Sequence, residues 1–158
     1  MANEYVGTGA ELQFSTFYIA DRLYGIDVTQ VQEIVKPMAM TKIPLSPDYV
    51  RGLINLRGQV ATAIGLRELF GISEAPPEFF MNVVCRLDGS LMSFHVDKIS
   101  DVMYVEDGNW EPTPQTIPES VRRFMKGVYK VDGALLSVIS TDQINSFLNR
   151  ENEVLTAV

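Results

Sequence analysis

Two stretches of this chain repeat one another. Residues 52–58 read GLINLRG and residues 127–133 read GVYKVDG: a glycine, four mostly apolar residues, a charged residue, a glycine. Each runs into a β-rich stretch, QVATAI or ALLSVI, and then into an amphipathic turn. A looser pair sets YGIDV (24–28) followed by VQEIV against MSFHV (92–96) followed by ISDVM. The offsets, 75 for the first pair and 68 for the second, differ by seven residues, so an insertion lies between the matched segments. Four segments in the same order point to an internal duplication and hence to two similar β lobes. Many short strands with glycine turns suit closed, barrel-like lobes. In such a lobe glycine permits a sharp bend or positive φ at a corner and leaves room for a neighbouring backbone. Asn55 to Gly58 reads as a tight turn projecting Arg57 outward, with Asp132-Gly133 as its counterpart. The two corners carry opposite charge: different partners on one scaffold is one reading, a pair of solvated turns the other.

The rest of the chain divides around these segments. Residues 14–28 read as a β-hairpin turning at Ala20-Asp21-Arg22. Val28, Val31, Ile34 and Val35 then fall at helical spacing, with Thr29 able to cap and Pro37 as a stop, which predicts a short helix. Its core face claims Val28, Val31 and Val35, while Glu33 lies beside Val31 and Ile34 as contact candidates. Residues 38–49 are extended and proline-punctuated, with one helical turn starting at Ser46-Pro47-Asp48. Strand-like runs follow at 53–56 and 59–64, and a helical turn at 65–72 ends on Gly71. The acidic, proline-bearing stretch 73–79 is the best linker. The second half opens with strands at 81–87 and 90–96 around an Asp88-Gly89 turn. Residues 97–105 fit a strand or a short helix, 111–120 are proline-rich, and the last ten residues carry a weak helical tail.

Catalysis needs a constellation of groups, and the sequence offers few. His95 is the only histidine and Cys85 the only cysteine. Both lie in apolar strand-like runs, which favours a structural imidazole and an inert buried thiol. No nucleophile elbow surrounds a serine, Ser93 included, and no phosphate-binding glycine loop is present. The carboxylates Glu33, Glu68, Glu74, Asp97, Asp101 and Glu106 are scattered. A formal charge of −7 argues against nucleic acid and against anionic lipid, both of which require a Lys/Arg excess. With 158 residues, 46% of them hydrophobic, the chain can fill one packed domain or two small lobes sharing a core. A single cysteine, no signal-peptide pattern at the start and no run of about 20 apolar residues together predict a cytosolic protein. A small barrel holding a metabolite between its lobes, or an enzyme of unrecognised type, are the rival readings.

The string VQEIV…IPLSPDYVRGLINLRGQV…LRELFG, over roughly 31–71, closely resembles the CheW family of chemotaxis coupling proteins. The specific part is Gly25-Ile26-Asp27, Val31-Gln32-Glu33-Ile34, Ile43-Pro44, and Val50 followed by Gly52-Leu53-Ile54-Asn55-Leu56-Arg57-Gly58. Asp97 and Ile99-Ser100-Asp101-Val102 carry the likeness into the second half. The resemblance implies an all-β fold with short helices, built as two intertwined five-stranded SH3-like β-barrels. It implies a CheW-like domain over 14–148, while the small and polar start reads as a flexible arm over 1–13 and the end as a tail over 149–158. It further implies a scaffold without catalysis or cofactor, a monomer when isolated, cytoplasmic and recruited to membrane-associated receptor arrays. Its partners would be the cytoplasmic tip of a methyl-accepting chemoreceptor and the regulatory domain of a CheA-type histidine kinase. The positions implied for those contacts are Val31, Glu33, Ile34, Gly52, Arg57, Ile99 and Val102. Three departures stand out: Thr62 or Ala63 where the family carries a proline, Gly65 where it carries an aspartate, and Ser93 where a glycine is common. An accessory array, such as one serving pilus motility, is an alternative home.

Overall fold

The computed structural model describes residues 12–157, with side-chain detail to residue 151. The expected arm, residues 1–13, lies outside that range except for Leu12 and Gln13, which already belong to the first strand. Among the described residues eleven strands form two sheets. Strand β1 (Leu12–Ile19) turns at Ala20-Asp21 into β2 (Arg22–Asp27), both turn residues at positive φ. After β3 (Val31–Val35) come β4 (Val50–Leu56) and β5 (Gln59–Gly65), then helix α1 (Leu66–Phe70), which ends on left-handed Gly71. The second half holds β6 (Met81–Leu87), β7 (Ser90–Val96), β8 (Lys98–Val105), the two-residue β9 (Trp110–Glu111) and helix α2 (Glu119–Arg122). Strands β10 (Met125–Val131) and β11 (Ala134–Ile139) and helix α3 (Thr141–Ala157) complete it.

The sheets run β8-β1-β2-β11-β10-β9 and β3-β6-β7-β5-β4. Each half is therefore divided between the sheets: β1 and β2 join β8 to β11, while β6 and β7 join β3 to β5, with β3 pairing β6 and β8 pairing β1. Neither lobe is complete without the other half of the chain. The duplication is visible residue by residue. In one sheet the parallel ladder pairs Tyr24 with Ser137 and Gly25 with Val138; in the other it pairs Met92 with Thr62 and Ser93 with Ala63. The 68-residue and 75-residue offsets map one set onto the other. Strands β3 and β8 carry a bulge at the matching point, Val31/Glu33 against Cys85/Val84 and Ile99 to Val102 against Phe17/Ser15. Bulges at Gly52 and Gly127 also match.

Residues 28–35 correct the helix expected there. Asp27, not Thr29, caps a three-residue 3₁₀ turn (Val28–Gln30), its carboxylate accepting from the Thr29 amide at 2.9 Å. The chain then becomes β3. The branched residues Val31, Ile34 and Val35 fit a pleated edge, and β6 supplies a ladder that an isolated turn of helix cannot match. At the other end, α3 begins at Thr141, well before the last ten residues, and shows no break at residue 149. Ser140 caps it by accepting from the Gln143 amide at 3.1 Å, and Ile144 is fully buried beneath it. The proline-rich 111–120 stretch contributes part of β9 and the first residues of α2. The Ser46-Pro47-Asp48 segment closes one turn, Val50 N–H to Pro47 O at 3.0 Å, and goes no further.

Among the described residues three apolar clusters form the core. Phe14, Leu23, Tyr129, Leu136 and Val138 fill the six-stranded barrel, and Ile54, Leu56, Ala61, Val84 and Leu91 the five-stranded one. The largest lies between them: Phe17, Ile26, Phe70, Phe94, Val96, Phe124 and Ile144 are among its members. Each such side chain contributes about 1.5–3 kcal/mol by leaving water, so the shared cluster holds the barrels together as one body.

The three sequence departures are absorbed locally. A Cβ on Gly65 would collide with the Glu68 carboxylate, which turns back to pair with Arg51 at 3.5 Å. Ala63 sits fully buried between Gly52 and Ser93, with its amide free for the ladder that a proline would interrupt. Buried Ser93 donates to Asn82 Oδ1 at 2.8 Å.

Candidate functional site

Arg57 and Gly58 both have positive φ, 51° and 90°, the conformation of a two-residue hairpin turn. Asn55 Oδ1 accepts from the Gly58 amide at 2.8 Å and fixes it. The turn throws Arg57 into solvent, where its guanidinium pairs with Glu33. Glu33 lies on β3, one edge of the five-stranded sheet, while Arg57 follows β4, the other edge. The pair spans the opening of the barrel. The hydrogen bond from Arg57 holds the Glu33 carboxyl below its ordinary pKa. Asp132, at the matching corner of the other barrel, does not share the positive φ of Arg57; only Gly133 does there, at 73°.

The remaining candidate positions separate into two kinds. Ile34 and Val102 occupy equivalent places on β3 and β8 and are exposed, 38% and 50%. Val31 and Ile99, also equivalent, are half-buried against the shared core. Gly52 is buried beneath residues 40–41: a Cβ there would lie 2.8 Å from the Thr41 carbonyl oxygen and 3.1 Å from Met40 Cβ. Glu33 and Arg57 are thus brought together, Ile34 and Val102 are presented on separate barrels, and Gly52 seats a strap of chain.

Further features escaped the sequence reading. Val60 and Leu135 are exposed hydrophobics at positions 75 apart, so each barrel shows an apolar residue at the matching place just past its glycine corner. Applying the repeat offset to Val60 would have found its twin. Arg86 links Gln32 and Gln59 by hydrogen bonds of 3.3 and 3.1 Å, beside an open groove of about 420 Å³ that includes Val60 and Thr62 in its lining. Arg67, buried in α1, forms a two-pronged ion pair with Asp97 at 2.8 and 2.6 Å. Burial pushes the Asp97 carboxyl up, but the Arg67 hydrogen bonds, the Ala20 amide and the guanidinium charge outweigh it and leave its pKa lowered.

His95 and Cys85 are where strand patterning placed them. Burial raises the Cys85 thiol to about 12, so it stays protonated. His95 stacks on Phe80 at 5.3 Å, and burial together with the nearby Arg51 charge lowers its pKa to about 4 from an ordinary 6.5. The folded state therefore binds fewer protons than the unfolded chain between pH 6.5 and about 4. Stability is full above that window and declines as pH falls through it. His95→Gln is expected to flatten the decline, read as a smaller drop in melting temperature between pH 7 and pH 5 than in the wild type.

Among the described residues no helix is long and apolar enough to cross a membrane, and no group of three or more His, Cys, Asp or Glu side chains is placed to hold a metal. A family model described as a CheW-like domain matches residues 13–147. The chemotaxis protein CheW of Helicobacter pylori is 31% identical over 134 residues, 84% of this chain and 81% of that protein. That of Treponema pallidum is 30% identical over 141 residues, 86% of this chain and 83% of that one. Among solved structures, the scaffolding protein TtCheW from Thermoanaerobacter tengcongensis matches with a TM-score of 0.74 at 30% identity, covering 82% of this chain and 84% of its own.

Proposed function

This chain belongs to the CheW-like family, with its fold of two SH3-like β-barrels, and on that premise we propose that it is a chemotaxis adaptor, non-catalytic, coupling chemoreceptor tips to a CheA-type histidine kinase. It acts in the cytoplasm, at membrane-associated receptor arrays. One observation carries the reading beyond family membership. The two barrels expose apolar residues at matching positions, Ile34 with Val102 and Val60 with Leu135, beside corners of opposite charge at Arg57 and Asp132. A duplicated body with two similar but differently charged faces suits a protein that holds two partners at once. The partners are the receptor cytoplasmic tip and the kinase regulatory domain, with Glu33, Ile34, Arg57 and Val102 as contact positions and Val31, Gly52 and Ile99 supporting them from beneath. Titration against a receptor cytoplasmic fragment and a CheA regulatory domain tests this. Binding of neither at high micromolar concentration would overturn it.

Arg57→Ala separates contact from support. The Arg57–Glu33 pair is largely exposed on the arginine side, so water screens it and little stability rests on it. The melting temperature is therefore expected to stay close to that of wild type, while receptor-dependent stimulation of the kinase falls about tenfold, equivalent to about 1.4 kcal/mol. Unchanged stimulation with both partners bound removes Arg57 from the site.

A further inference from the structure

Leu45 is fully exposed, at 102%, and it stands in the left-handed region with φ 62°. A leucine there bears strain that glycine or asparagine would not, and it gains nothing from burial. The turn that presents it is nonetheless well built. Pro44 precedes Leu45 in the order a type II turn requires, and Ser46 closes it with its amide (3.4 Å) and its hydroxyl (2.8 Å), both donating to the Ile43 carbonyl. On the N-terminal side Thr41 is tied to Leu53 of β4 by two backbone hydrogen bonds of 2.9 and 2.8 Å. On the C-terminal side Arg51 Nη1 donates to the Asp48 carbonyl at 2.9 Å. An apolar side chain is thus held outward on a rigid support at both strain and solvation cost.

Its surroundings indicate what it meets. Met38 and Met40, on the same strap, are exposed at 37% and 39%. Residues 36–51 hold Lys36, Lys42 and Arg51 against Asp48 alone, a local excess of positive charge in a chain of net charge −7. Arg51 is engaged with Glu68, whereas among the described residues neither Lys36 nor Lys42 has a carboxylate within ion-pair distance. The turn also lies beyond the start of β4, and Arg57 beyond its end, so about 20 Å of strand separates them. A partner seated on Leu45 leaves the Arg57–Glu33 corner free.

We propose that the Ile43–Ser46 turn is a docking anchor, with Leu45 inserting into a leucine-sized apolar pocket rimmed by carboxylates on a protein partner, and Lys42 facing that rim. This rests on the adaptor reading, since it assigns a surface to one of the two partners. The test is Leu45→Asn in the full chain, with Leu45→Gly beside it, titrated in parallel with wild type against the receptor fragment and the kinase regulatory domain. Both substitutions suit the positive φ, so the melting temperature is expected to hold or rise. Affinity for one of the two partners falls at least tenfold, and Lys42→Gln weakens that same partner at low salt and flattens its salt dependence. Wild-type affinity of both Leu45 variants for both partners, or a lowered melting temperature, overturns the anchor while the adaptor reading stands. If the wild type itself binds neither partner, the adaptor reading fails and the anchor fails with it.

Discussion

Arg67→Ala is expected to lower stability by about 3 kcal/mol, read as a fall in the urea midpoint at an unchanged slope. Arg67 is 5% exposed and every nitrogen of its guanidinium is engaged. Nε and Nη2 donate to the two oxygens of Asp97, and Nη1 to the Glu74 carbonyl at 2.6 Å. Asp97 also accepts from the Ala20 amide at 2.8 Å. One side chain therefore ties together α1, the β7–β8 junction, the β1–β2 turn and the stretch between the halves. Truncation leaves a carboxylate and a carbonyl without their donors in a site that is mostly dry, and breaking a buried pair from one side costs about 3–5 kcal/mol. The lower end applies because the Asp97 side chain keeps 14% of its exposure. The companion variant Arg67→Met with Asp97→Asn removes both charges and is expected to recover most of the loss. Asp97 has its pKa lowered in the fold, so its contribution is present above the ordinary carboxylate range and fades as pH falls below it. A loss under about 1 kcal/mol on Arg67→Ala, the size expected of a surface pair, would refute the clamp.

Gly52→Ala is expected to cost about 2 kcal/mol, through backbone conformation and crowding together. Its φ is 150°, which L-residues rarely adopt, and the obstacle is the Thr41 carbonyl, part of the backbone and unable to swing aside. The strap over residues 40–41 must lift or β4 must shift, so faster proteolysis within residues 38–45 should accompany the lower melt. Gly127→Ala is the control built into the duplication. Gly127 has φ 156° and its Cβ would lie 2.8 Å from the Glu111 carbonyl oxygen, with the Trp110 indole closer still. A comparable loss at both positions shows that the two barrels use one corner design. Wild-type stability for either variant would mean that the close approach relaxes at little cost.

What was legible in the sequence was what neighbouring residues decide. The hairpin turns at Ala20-Asp21, Arg57-Gly58 and Asp88-Gly89 were readable because each contains an aspartate or glycine, residues that tolerate left-handed backbone. Gly71 as a helix end was readable for the same reason. The outward course of Arg57 followed from its turn. The repeat in glycine and charge spacing was enough for two lobes, and the mid-strand settings of His95 and Cys85 were enough for burial.

Residues 28–35 mark the boundary of that reasoning. Val28, Val31, Ile34 and Val35 satisfy helical spacing as well as they satisfy a bulged strand, and local propensity does not separate the two. The choice was made by β6, some fifty residues away, whose unpaired edge gains a full ladder when β3 extends. The same long-range pairing divides each half between the two sheets and makes one body of two lobes. Charge partners belong to this class as well: nothing in the order of residues joins Glu33 to Arg57, Arg67 to Asp97, or Glu68 to the space left by Gly65. Turn chemistry is short-ranged and written in residue type. Strand exchange and ion pairing depend on which edges and which charges meet once the chain has closed, and that only the tertiary structure decided.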